Sequence, residues 1–213
     1  MSLYELLQNG EADQGAVRGV AVGLVTNNKD PERMGRVKVT FPWRSAGDES
    51  HWARVAAFMA GKERGGYFLP EVGDEVLVAF EMGNLQHPYV IGALWNGEDK
   101  PPETNADGGN HIRKIKTRGG HELVFDDEEG KGKITLQTKA GNRLVLDDES
   151  GGRIAIESGS LKITMDAGSN EMTLESPVQL TLKSKAIAIE AESQLTLKAG
   201  AALTIKGAVV QIN

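Results

Sequence analysis

From residue 177 onward the large apolar side chains come chiefly in pairs, Leu180/Leu182, Ile187/Ile189, Leu195/Leu197, Leu203/Ile205 and Val210/Ile212, with a step of seven or eight residues each time. Members of a pair stand two residues apart, so in an extended chain both leave the same face, while Thr, Lys, Ser, Glu, Gln and Ala fill the positions around them. A single column of such short strands has one dry face and nothing to enclose it, and its open edges leave backbone groups unpaired. A one-chain parallel β-helix needs roughly 18 or more residues per coil. This period is less than half of that. Three chains winding about a shared axis supply the two missing sides: each step of each chain forms one side of a triangular layer, and layers stack about 4.7 Å apart. Five layers give roughly 24 Å of needle.

The segment before it repeats differently. Residues 120–130, Gly-His-Glu-Leu-Val-Phe-Asp-Asp-Glu-Glu-Gly, recur at 141–151 as Gly-Asn-Arg-Leu-Val-Leu-Asp-Asp-Glu-Ser-Gly, each followed by another alternating run, and a fainter copy follows at 161–174. These predict hairpins with acidic turns. Upstream, five short alternating runs between 17 and 97, separated by turn residues such as Asn27 to Pro31 and Val72 to Asp74, suggest a small barrel of the OB type. Four of five Phe, all three Trp and all three Tyr precede residue 100, and the last 88 residues hold no aromatic, which marks two structural regimes. The expected fold is therefore all-β: an N-terminal OB-fold barrel followed by a C-terminal trimeric intertwined β-helix. Its parts are a leader at 1–16, the barrel at 17–97, a linker and first strand at 98–119, hairpins at 120–176 and the needle at 177–213.

A net charge of −6 argues against a nucleic-acid or anionic-membrane partner. The absence of cysteine excludes disulfides, thiolate-bound zinc and a cysteine nucleophile. Met1 to Leu7 has no basic n-region and too short an apolar run for a signal peptide, so synthesis in the cytoplasm without one is expected.

No residue pattern carries chemistry. His51, His87, His111 and His121 show no metal-ligand spacing, and the acidic turns at 126–129 and 147–149 lack the glycine and alternating ligands of an EF-hand loop. Solvated turns are the reading there. The expectation is no catalytic residue, no metal and no cofactor. Gly61 to Gly66 lacks the P-loop pattern and reads as a mobile barrel loop. The basic run Arg113, Lys114, Lys116, Arg118 reads as a lysine-guarded edge strand rather than a binding strip. Trp43, Trp52 and Trp95 read as core or interface aromatics rather than a stacking platform.

Several segments carry a resemblance. Residues 37–43 (Val-Lys-Val-Thr-Phe-Pro-Trp), 52–55 (Trp-Ala-Arg-Val), 68–80 (Phe-Leu-Pro-Glu-Val-Gly-Asp-Glu-Val-Leu-Val-Ala-Phe) and 87–97 (His-Pro-Tyr-Val-Ile-Gly-Ala-Leu-Trp-Asn-Gly) resemble, in order and spacing, the OB domain of valine-glycine repeat (VgrG) proteins and phage baseplate V spike proteins. Gly120 to Asp127 is similar to the stretch that opens the β-helix of that family. The resemblance implies the structural central spike of a contractile machine, a homotrimer that pierces the target cell membrane mechanically, without enzymatic activity. About 16 residues precede the barrel, so the chain resembles short spikes that dock on a separate baseplate hub protein, here through Leu3, Tyr4, Leu6 and Leu7. Leu180, Leu182, Ile187, Ile189, Leu195, Leu197, Leu203 and Ile205 are expected at the trimer axis. Val209, Val210, Gln211, Ile212 and Asn213 are expected to bind a tip protein of the proline-alanine-alanine-arginine (PAAR) type. The expected location is a virion or a secreted phage-tail-like particle. The competing expectations are an OB-fold module binding nucleic acid or carbohydrate with a β-solenoid spacer, or a solenoid enzyme; the latter needs a longer repeat and polar residues gathered on one face.

Overall fold

The computed structural model describes residues 17 and 19–212. They fall in two compact units, Met1–Gly108 and Gly109–Asn213.

The first unit is built on β1 (Val20–Asn27), β2 (Lys38–Thr40), β3 (Arg54–Val55), β4 (Ala60–Gly61), β5 (Arg64–Gly65), β6 (Glu75–Phe80) and β7 (Pro88–Ala93). The sheet order is β2-β1-β6-β7-β3, and an antiparallel bridge between Val37 and Ala53 joins the two ends, with N–H to C=O distances of 3.0 and 2.7 Å. Closure makes a five-stranded barrel without free edges. Alternation then fills it: Val76, Val78 and Phe80 of β6 point inward with Val25, Val37, Val39, Phe41, Ala53 and Val90, all buried. Gly23 is needed because a Cβ there would meet the Thr40 carbonyl at 3.1 Å and the Phe41 ring at 3.2 Å. The segment read as a mobile glycine loop instead folds as the β4–β5 hairpin, with Ala60 opposite Gly65 and Gly61 opposite Arg64.

The second unit is a seven-stranded antiparallel meander: β8 (Ile112–Lys116), β9 (Glu122–Asp126), β10 (Lys133–Gln137), β11 (Arg143–Asp147), β12 (Arg153–Ser158), β13 (Leu161–Asp166) and β14 (Glu171–Glu175). Two equivalent turns explain the sequence repeat. Gly120 (φ +83°) and Gly141 (φ +89°) each donate to the carbonyl three residues back, on Thr117 and Thr138, at 2.9 Å. Both glycines lie in the left-handed region that other residues avoid. β8 is an outer strand of this sheet, as the lysine-guarded edge reading required.

Residues 177–212 run extended without pairing to another part of the chain among the described residues. The backbone bends at 177–178, 185, 192–193, 200–201 and 208, so each straight run between bends carries one apolar pair.

Candidate assembly interface

The register of the meander sorts its side chains into two unlike faces. Directly opposed residues share a face, so one face collects two cross-strand rows: Arg113, Phe125, Ile134, Leu146, Ile154, Met165, Met172, and Ile115, Leu123, Leu136, Leu144, Ile156, Ile163, Leu174. Thirteen of these fourteen are large and apolar, and most stand exposed.

The opposite face is polar and self-sufficient. One outer row reads Lys116, Glu122, Gln137, Arg143, Glu157, Lys162, Glu175, and the other Ile112, Asp126, Lys133, Asp147, Arg153, Asp166, Glu171. Signs largely alternate from strand to strand. Ion pairs follow: Lys116 to Glu122 at 2.9 Å, Lys133 to Asp147 at 2.9 Å, Lys162 to Glu157 at 3.5 Å and Arg143 to Glu157 at 3.8 Å. The hydrogen bond from Lys116 holds Glu122 below the usual carboxylate range, and that from Lys133 does the same for Asp147. Between the rows, Val145 and Ala155 are only 8% and 6% exposed, shielded by the long side chains of Lys133, Arg143 and Arg153 that line the same patch. The polar face thus covers its own small apolar residues, whereas the other face has no cover among the described residues. A contiguous open apolar face marks an interaction surface.

The extended segment presents the same problem. Leu180, Leu182, Ile187, Ile189, Leu195, Leu197, Leu203, Ile205, Val210 and Ile212 are 51 to 89% exposed, two to each straight run. Val209 and Gln211 are exposed beside them. Leu3, Tyr4, Leu6, Leu7 and Asn213 lie outside the described residues. The meander face was missing from the residues expected at the axis. Its signal was present in the period-two alternation of each hairpin strand, and only the pairing register showed that all seven strands turn the same way.

Other expectations resolve singly. Trp43 stacks on Phe41 with centroids 5.3 Å apart and stays half exposed, Trp52 faces the Arg36 guanidinium and the Lys38 ammonium, and Trp95 is exposed. The three have different surroundings and different partners, and Trp43 and Trp95 are not core residues. The histidines held one surprise: His111, Asp126 and Glu128 offer ligand atoms that lie within 4.8 Å of one another. Sequence spacing hid this, because the β8–β9 register sets Ile112 opposite Asp126 and so brings residue 111 to the end of β9.

Two family models match the chain. The type VI secretion system/phage-baseplate injector OB domain covers residues 21–95, and the phage baseplate V C-terminal trimerisation domain covers 113–213. The actin cross-linking toxin VgrG1 of Vibrio cholerae is 36% identical over 113 residues, 48% of this chain and 10% of that protein. The type VI secretion system spike protein VgrG3 of the same species is 34% identical over 116 residues, 49% of this chain and 11% of that protein. VgrG5, a type VI spike protein of Pseudomonas aeruginosa, is 33% identical over 129 residues, 56% of this chain and 16% of that protein. The match therefore spans about a tenth to a sixth of the length of these relatives.

Proposed function

The chain belongs to the family of type VI secretion system and phage-baseplate injector proteins, and from that premise we propose that it is the structural central spike of a contractile, phage-tail-like machine. Its second unit carries a trimerisation domain, and three copies bury the open apolar face of the meander and the apolar pairs of 177–212 about one axis. That uncovered dry surface, continuous in character from Ile115 to Ile212, is the observation that carries the proposal. Sheath contraction supplies force, and a stiff β-prism concentrates it on a small apex that pierces the target envelope. No covalent step is involved.

The barrel end docks on a baseplate hub, with Leu3, Tyr4, Leu6 and Leu7 as anchors. At the other end Val209, Val210 and Ile212 expose apolar side chains on an extended, unpaired backbone, which, with Gln211 and Asn213, fits a PAAR-type tip protein bound by strand extension. The chain is made in the cytoplasm and leaves it inside a virion or released particle. Deleting residues 207–213 tests the reading: light scattering should still give the trimer, while co-purification of a tip protein from the producing cell is lost. Normal capture of the tip by the truncated trimer overturns the assignment.

A further inference from the structure

We propose that His111, Asp126 and Glu128 form a divalent-cation site of the first-row transition-metal class, Zn²⁺ above all, one per chain, at the start of the meander. Three separate places in the chain supply it: the residue before β8, the last residue of β9 and the β9–β10 turn. Their ligand atoms lie within 4.8 Å of one another, and His111 Nδ1 is 2.7 Å from Asp126 Oδ1.

The backbone fixes this convergence before any ion arrives. The N–H of Asp127 donates to the His111 carbonyl at 2.8 Å, and the N–H of Glu128 donates to Asp126 Oδ1 at 3.2 Å. Preorganisation of that kind lowers the ordering cost of binding. His111 and Asp126 are each about a quarter exposed and Glu128 is open, so water can complete the coordination sphere. One imidazole nitrogen with two carboxylate oxygens suits zinc and its neighbours; calcium prefers an all-oxygen shell. With bonds of about 2.0–2.2 Å to tetrahedral zinc, the His111–Asp126 pair opens by about half an ångström, a shift within side-chain reach.

A competitor is in place. The Lys131 ammonium sits 2.7 Å from Glu128 Oε1 and must be displaced for Glu128 to ligate, and Lys133 adds positive charge near Asp126. The ammonium therefore weakens binding, and removing it strengthens binding. Such a site ties the residue leading into β8 to the turn that closes β9, at the point where the meander begins.

Isothermal titration of the full-length chain with zinc chloride, and in parallel with calcium chloride, tests this. Saturable zinc binding at one ion per chain is expected, weakened at least tenfold in His111→Asn and in Glu128→Gln and strengthened in Lys131→Ala. The Asn side chain still donates to Asp126, so an unchanged circular-dichroism spectrum separates lost ligation from lost fold. His121→Ala, outside the cluster, serves as control and binds as the unaltered chain does. The proposal is overturned if zinc fails to bind, if His111→Asn binds it undiminished, or if calcium binds as tightly with no dependence on His111. None of these outcomes bears on trimerisation or on the spike reading.

Discussion

Asp30 organises the loop between β1 and β2. Its carboxylate accepts the Arg36 guanidinium in a two-pronged pair, at 3.0 Å from Nε and 2.8 Å from Nη2, and also the backbone N–H groups of Glu32 and Met34, which ties the β1–β2 loop into one conformation. Its side chain is 3% exposed. The Arg36 guanidinium holds this carboxyl far below the usual range; burial opposes the shift and the backbone donors reinforce it. A carboxyl depressed in the folded state stabilises fully above its unfolded value, about 3.9, and loses that contribution as pH falls from there toward the folded value. Asp30→Asn should therefore lower the melting temperature by several degrees near neutral pH. The gap from the unaltered chain should hold constant above about pH 5 and narrow below about pH 4. A gap of the same size at every pH would mean that the charge contributes nothing.

At the scale of an element, the alternating charge rows make the meander keep its register. A slip of one residue would turn every apolar side chain to the other face, and a slip of two would set unlike partners against the rows. Lys133 stands between Asp126 and Asp147, opposite both. Replacing it by Glu sets three carboxylates in a line across adjacent strands, and like charges directly opposed destabilise a sheet. Lys133→Glu should lower the urea midpoint and speed amide exchange in β9, β10 and β11. The loss should shrink in about 1 M salt, where the Debye length falls to roughly 3 Å. Lys139→Glu, in the turn after β10, should leave both readings nearly unchanged; an equal effect there would show that the cross-strand row is irrelevant to register.

At the scale of the whole molecule, the proposed trimer covers apolar faces that the single chain leaves open. Light scattering should give three times 22.9 kDa at micromolar concentration. On the proposed axis a charge is introduced three times at once, so Ile189→Asp, Leu197→Asp or, in the meander, Ile156→Asp should each cost roughly several kcal/mol per trimer and collapse its yield. Lys198→Asp, outside the apolar pairs, should be tolerated. A trimer that survives Ile156→Asp while Leu197→Asp destroys it would confine the axis to 177–212 and leave the meander face to another partner.

The all-β class, the five barrel strands and the apolar pairs of 177–212 were legible in the chain, because period-two alternation and turn residues are local properties that need no partner to be read. The repeat at 120 and 141 was legible for the same reason: each copy marks a glycine that its turn requires. Three features came only with the tertiary structure. The Val37–Ala53 bridge shows where the expected barrel closes, because which two strand ends meet depends on pairing and not on any one strand's pattern. The common orientation of seven strands gathers Ile115 through Leu174 into one face, since register between strands depends on pairing and not on any one strand's pattern. The meeting of His111 with Asp126 follows from that same pairing, which joins residues fifteen apart in the chain and gives them a chemistry that neither shows alone.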